Sequence, residues 1–283
     1  MRLLLFILYL LSFIFLELSV AGHVALAENQ TPDALDRPIN YGTDITRPIR
    51  RYDLRYQYRD FDGDYDAHII THRLDTVYQI TDSGWKFATR TDIPLIYSDI
   101  PGVGNARGDI RKGLGDSLLQ GLFITPPIKE RMNLGLGLQV VLPTATKPNL
   151  GSELYQLTPI AGIRVNLPEI SKGSYTILGG RYFTTIGEKN HDRRQRHEVQ
   201  FIPNIHVALQ DQWFVNFWAK DGVLVNLEQS PRADKGDIFL PFTTMIGKKV
   251  TDNIVMSVEA SAPLIHQYKP YESFVEFRIG YFF

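Results

Sequence analysis

The end of the chain alternates. Val275, Phe277, Ile279, Tyr281 and Phe283 share one parity, and Glu276, Arg278 and Gly280 share the other. Successive strand side chains point to opposite faces, so this run predicts a strand with one apolar and one charged face. A second run repeats the pattern: Tyr52, Leu54, Tyr56 and Tyr58 oppose Arg51, Asp53, Arg55, Gln57 and Arg59. Leu74, Thr76, Tyr78 and Ile80 oppose Arg73, Asp75 and Gln79. Trp85, Phe87, Thr89, Thr91, Ile93 and Leu95 oppose Lys86, Arg90 and Asp92. The even positions from Leu134 to Leu142 oppose Asn133, Gly135, Gly137 and Gln139. Tyr155, Leu157, Ala161, Ile163 and Val165 oppose Gln156, Thr158, Arg164 and Asn166. Val199, Phe201, Ile205, Val207 and Leu209 oppose Glu198, Gln200, Asn204 and His206. Ile254, Met256, Val258, Ala260 and Ala262 oppose Ser257, Glu259 and Ser261. Residues 116–125, 174–185, 213–220 and 238–248 are strand-like without a clear parity. The sum is about twelve strands.

The connections alternate too. Links after even strands are short: 81–84, 126–132, 168–173, 210–212 and 250–253. Links after the third, fifth, seventh and ninth are long: 98–112, 143–154, 186–197 and 221–237. A soluble sandwich has no reason for this rhythm, whereas a transmembrane barrel has short periplasmic turns and long external loops. In a bilayer every backbone polar group must be paired, which helices and closed barrels achieve. The expected fold is therefore all-β: an antiparallel up-and-down transmembrane barrel over residues 47–283. Its apolar parity faces lipid, and its charged parity faces the lumen.

The first residues read differently. Arg2 precedes an almost wholly apolar run over residues 3–16, and Ala25-Leu26-Ala27 is a small-x-small site before Glu28. This predicts a secretory signal over residues 1–27, cleaved near Ala27/Glu28, rather than a membrane anchor. Residues 28–46 then form either a periplasmic segment or a plug in the lumen. Charge balances, with 30 Lys+Arg against 31 Asp+Glu, so a nucleic-acid partner is not expected. With no cysteine, disulfides, thiolate metal sites and Cys nucleophiles are excluded.

The terminal Tyr281-Phe282-Phe283 resembles the aromatic carboxyl-terminal signal of bacterial outer-membrane proteins, with Tyr281 and Phe283 on the lipid parity. Gly113-Leu114-Gly115-Asp116, Leu142-Pro143-Thr144-Ala145-Thr146 and Leu150-Gly151-Ser152 resemble a pattern of the outer-membrane transporter family described as meta-pathway phenol degradation-like. That family is distantly related to fatty-acid and aromatic-hydrocarbon channels. The resemblance implies location in the outer membrane of a Gram-negative bacterium. It also implies contact with lipopolysaccharide, folding by the barrel assembly machinery and passage of small organic solutes.

The lumen is where chemistry is expected. Arg51, Asp53, Arg55, Arg59, Arg73, Asp75, Arg90, Asp92, Arg164, Glu198, Glu259, Glu276 and Arg278 should point inward, as should Lys86 and His206. They form either a charged constriction that selects solutes or an interlocked network that only satisfies polar groups. Eight strands are filled by side chains and sixteen leave a channel, so twelve lies between. The expected function is a channel for passive passage of small organic molecules. The alternative is a closed structural or adhesive barrel that acts through its external loops.

No cofactor, metal site or enzyme activity is expected. The Asp60–Asp66 run offers alternate carboxylates, but its glycine is fourth rather than sixth as in a calcium loop. His68 and His72 lie roughly 13 Å apart on a strand, too far to share a metal. Residues 102–108 lack the spacing of a dinucleotide loop and read as a flexible loop. Residues 191–197 read as a basic external loop that is either simply solvated or meets lipopolysaccharide phosphates or attracts anionic solutes. A lipid-active enzyme would need Ser and His together on the lipid face, and the outward parities supply no such pair.

Overall fold

The computed structural model describes residues 40–283 except 62, 64, 102–104, 130, 190–194, 228–236 and 268–269. The expected signal segment lies outside the described residues. The strands are β1 (Arg51–Phe61), β2 (Tyr65–Gln79), β3 (Lys86–Ser98), β4 in two pieces (Arg111–Leu114 and Ser117–Ile124), β5 (Met132–Leu142) and β6 (Leu154–Asn166). They continue as β7 (Tyr175–Glu188), β8 (His197–Ala208), β9 in two pieces (Trp213–Phe217 and Val223–Asn226), β10 (Ile238–Lys249), β11 (Ile254–His266) and β12 (Ser273–Phe282). Both pieces of β4 pair with β3, and both pieces of β9 lie between β8 and β10, so each is one interrupted strand. Each strand pairs antiparallel with its chain neighbours, and β1 pairs with β12 from Arg51↔Phe282 to Asp60↔Ser273. The sheet therefore closes into a twelve-stranded up-and-down barrel.

The burial follows the alternation. In β1 the residues from Arg51 to Gln57 alternate buried and exposed, with the charged set inside. In β12, Glu276, Arg278 and Gly280 are buried while Phe277, Ile279 and Tyr281 are exposed. Exposed Leu134, Leu136 and Leu138 continue the apolar belt on β5. A belt of this kind is the outer surface of a barrel that sits in hydrocarbon.

The four segments without a clear parity have an apolar inner face. Leu122 and Ile124 of β4, Tyr175, Ile177 and Phe183 of β7, Phe214 and Leu224 of β9, and Phe239 and Met245 of β10 are all buried. Outward apolar residues such as Phe123, Leu178, Tyr182, Trp213 and Ile246 are exposed on the same strands. Both faces are greasy, which erases the alternation.

The interruptions have local causes. In β4 the break falls at Gly115 and Asp116. The Asp116 carboxylate accepts from the Ser152 amide at 2.6 Å, the Ser152 hydroxyl at 2.8 Å and the Ala145 amide at 3.2 Å. Thr144 Oγ1 accepts from the Ser117 amide at 2.9 Å and donates to the Gly115 carbonyl at 3.0 Å. The motif residues thus clamp the loop 143–153 onto the wall, and a side chain at Gly151 would collide with Asp116 and Ala145. In β9 the break begins at Trp218, whose φ of 50° is left-handed. Its indole N–H donates to the Pro241 carbonyl at 2.8 Å, beside the register shift between Leu240 and Pro241 in β10. Proline is tolerated in a sheet at such a bulge.

The outward reading has a direct test. Leu136, 67% exposed, stands midway along β5. Leu136→Arg should destabilise the folded barrel in lipid vesicles by about 2–4 kcal/mol in reversible urea unfolding. An unchanged midpoint would place this surface outside hydrocarbon.

Candidate functional site

The interior begins at the closing seam. Asp53 has no solvent exposure, and its Oδ2 lies 3.0 Å from Arg55 Nη2, 3.1 Å from Arg278 Nε and 3.5 Å from Arg51 Nε. Directly across from Asp53 the partner strand carries Gly280. A Cβ there would come within 2.5 Å of Asp53 Oδ1, so the carboxylate occupies the room that glycine leaves. From this hub the pairing spreads around the wall. Arg51 bonds Asp75 at 2.5 Å, and Asp75 takes Arg90 at 2.8 Å. Arg73 grips Asp92 through two bonds of 2.6 Å. Arg55 reaches Glu276 at 2.9 Å, and Glu276 also holds Lys220 at 2.8 Å. Each of these carboxylates is paired with at least one guanidinium, which offsets part of the cost of taking it out of water, while Asp53 Oδ1 accepts no hydrogen bond among the described residues.

The expected luminal residues differ in how far they are enclosed. Arg51, Asp53, Arg55, Asp75, Asp92, Arg164, Glu198, Glu259, Glu276 and Arg278 are buried, while Arg59, Arg73 and Arg90 are partly open to a central chamber. Tyr281 lies outward and exposed.

One end of the lumen is crossed by residues 40–50. Tyr41 packs on Phe214 with ring centroids 4.7 Å apart, and on His206 at 5.4 Å. The Thr43 hydroxyl shares a hydrogen bond with the Tyr175 hydroxyl at 2.8 Å. Asp44 pairs with Arg164 at 2.5 Å, and its other oxygen accepts the Thr46 amide at 2.9 Å and the Arg47 amide at 3.2 Å. Ile45 packs against Ala88, Leu122 and Ile124. These contacts reach β3, β4, β6, β7, β8 and β9, so the segment bridges opposite walls. Beside it a cavity of about 30 Å³ remains, lined by Pro48, Ile49, Arg90 and Gln120 among others. At about 10–15 Å³ per water, that is room for roughly two waters and no solute.

Beyond the segment the lumen widens into a chamber of about 430 Å³. Arg51, Arg55, Arg59, Arg73, Arg90, Arg181, Arg196, Arg278 and Lys220 line it, against Asp92, Asp221 and Glu259. The partner carboxylates Asp53, Asp75 and Glu276 are not part of that lining, so the surface presented is basic. The opposite mouth is narrowed by an apolar cluster of Phe183, Leu224, Phe239, Tyr271 and Phe274 with Phe61 packed against it. Burial pushes the Tyr271 phenol well above its ordinary range. It remains a donor to Asp221 at 3.2 Å.

Several residues outside the expected set belong to this interior. Arg181 lies in a segment whose parity was obscured, although it is the single charge in 174–185 and a bilayer forces a charge inward. Lys220 and Asp221 enter through the β9 break. Asp44 belongs to the segment whose place was open between plug and tail. Arg196 is described at the end of the basic loop. It turns inward, bonding Glu198 at 2.6 Å and lying over the Phe183 ring at 3.9 Å. His191 to Arg194, and Asp62 and Asp64 of the aspartate run, lie outside the described residues. In the 102–108 loop, Asn105 is buried and its side-chain amide donates to the Asp109 carbonyl at 2.8 Å. His68 and His72 face outward, bonded to the Tyr56 hydroxyl at 2.7 Å and to the Tyr52 hydroxyl respectively.

Closed pairing, an apolar belt and a charged interior define a β-barrel of the membrane-spanning class. An outer-membrane channel from Pseudomonas putida F1 superposes with a TM-score of 0.67 at 15% identity, covering 90% of this chain and 100% of its own. The NanC porin superposes with a TM-score of 0.53 at 11% identity, covering 82% of this chain and 98% of its own. Outer membrane phospholipase A from Escherichia coli gives 0.45 at 7% identity, covering 83% of this chain and 92% of its own, too distant to bear on the reading. Neither a protein-family model nor a curated protein sequence matches the chain.

The hub predicts a large energetic asymmetry. Asp53→Ala leaves three buried guanidiniums short of a partner and should cost about 3–5 kcal/mol. Glu169→Ala, which breaks the exposed Arg131–Glu169 pair of 3.0 Å, should cost at most about 1 kcal/mol. Urea unfolding in lipid vesicles measures both. Equal effects would deny the hub its role.

Proposed function

We propose that this chain is an outer-membrane channel for the passive passage of small organic molecules, with residues 40–46 as a plug and the basic chamber as the selective region. The observation that carries this reading is the chamber itself. Its volume of about 430 Å³ falls in the range of small-molecule sites, about 300–1,000 Å³. A barrel that served only as scaffold could fill that space with side chains. Guanidiniums around a narrow path favour anions and repel cations.

The folds of the Pseudomonas putida channel and the NanC porin support the same class of function and the same membrane. The motif resemblance to the meta-pathway phenol degradation-like family supports small organic compounds as the solutes. Lipopolysaccharide is the expected neighbour of the outer rim, and the terminal Tyr281 and Phe283 are the expected signal to the assembly machinery.

Passage requires residues 40–46 to move. Asp44 and Arg164 form the latch, since they pair across the lumen at 2.5 Å. The test is single-channel current in planar bilayers with purified barrel, with and without residues 28–46. The shortened protein should show discrete steps several-fold larger than the full barrel, and Asp44→Asn should move the full barrel toward them. Silence from every form, with heat-modifiable migration intact, would overturn the channel and favour a closed barrel acting through its loops.

A further inference from the structure

The inner face of β7 carries Arg181 and, two residues on, Phe183. Arg181 differs from its luminal neighbours. Arg51, Arg55, Arg73, Arg90 and Arg278 each have a carboxylate oxygen within 3.5 Å. Arg181 has neither an ion pair nor a hydrogen bond among the described residues. Arg90 and Arg73 repel it electrostatically, and Asp221 is the carboxylate whose field reaches it. Arg181 is only partly buried and lines the chamber, so an entering anion meets an open guanidinium that holds no carboxylate among the described residues. The planar fork suits a carboxylate, which it takes through two parallel hydrogen bonds.

The wall around Arg181 is apolar. The register places Ile160, Arg181, Gln200, Leu224 and Phe239 in one row across β6 to β10. Phe183, Leu224 and Phe239 line the same chamber as Arg181. One wall therefore offers a charge-bonding fork beside a greasy surface. A bare inorganic anion uses only the fork, and a neutral compound uses only the surface.

We propose that this wall is a binding subsite for organic carboxylates with a compact apolar body. The carboxylate meets Arg181 with the Gln200 amide beside it, and the body lies against Phe183, Leu224 and Phe239. The subsite rests on the channel reading for its purpose and names the class of solute.

The test is calorimetric titration of the purified full barrel in detergent at fixed chloride. Benzoate is the probe, benzamide its neutral counterpart, and acetate the carboxylate without the body. Benzoate should bind saturably. Benzamide and acetate should bind at least about tenfold more weakly, and Arg181→Gln should weaken benzoate by a similar factor. Arg181→Lys, which keeps the charge and loses the fork, should fall between. Heat-modifiable migration establishes that each variant is folded. Benzoate binding that is unchanged in Arg181→Gln, or no tighter than acetate, overturns the subsite. Single-channel currents from the same preparation separate the two readings. Current without Arg181-dependent binding leaves the channel and removes the subsite. Arg181-dependent binding without current sustains the subsite and removes the channel.

Discussion

Asp53 sits where the first and last strands meet, with guanidiniums of Arg51, Arg55 and Arg278 around one carboxylate oxygen at 3.0–3.5 Å. Closing a barrel removes the free sheet edges that a bilayer cannot tolerate, so the seam between β1 and β12 decides whether the fold exists. Opposite charges from both seam strands meet at this carboxylate and at Glu276. Gly280 leaves the space that lets the hub form. From the hub, Asp75, Asp92 and Glu276 carry the pairing to β2, β3 and the β9 break. This half of the interior is a bonded network first, and its energy goes to closure.

The other half is built differently. Along β4, β7, β9 and β10 the inner face is largely apolar, and it gives the residues 40–50 and the outer mouth something to pack against. Tyr41 and Ile45 use the apolar wall at one end, while Asp44 uses Arg164. The chamber between these two closures inherits cations from one half and apolar surface from the other. A constriction and a salt-bridge network, posed as alternatives by the charge pattern, are both present in one lumen. Paired arginines line its bonded side, and on the apolar side Arg181 has no ion pair among the described residues.

Much of this was legible in the chain. The alternation placed β1, β2, β3, β5, β6, β8, β11 and β12 with the right face inward, because a charged parity and a greasy parity cannot exchange places in a bilayer. The alternating link lengths marked the topology. The signal failed where both faces are apolar. Even there, the parity was recoverable from lone polar residues: Gln120 in β4, Arg181 in β7 and Asn216 in β9. The break at Trp218 and the inward turn of Arg196 were hidden, since each depends on tertiary partners, Pro241 in one case and Glu198 with Phe183 in the other. The motif residues Asp116, Thr144 and Ser152 resembled a family signature and form a loop clamp.

The central claim is that the surface facing the chamber is basic in effect, because Asp53, Asp75 and Glu276 lie behind the arginines they hold. The most direct measurement is the reversal potential of the open barrel, lacking residues 28–46, across a potassium chloride gradient. The account predicts a potential of the sign that marks chloride as the preferred ion, shrinking toward zero when Arg181, Arg73 and Arg90 are neutralised together. A potential of the opposite sign, marking potassium as preferred, would contradict it.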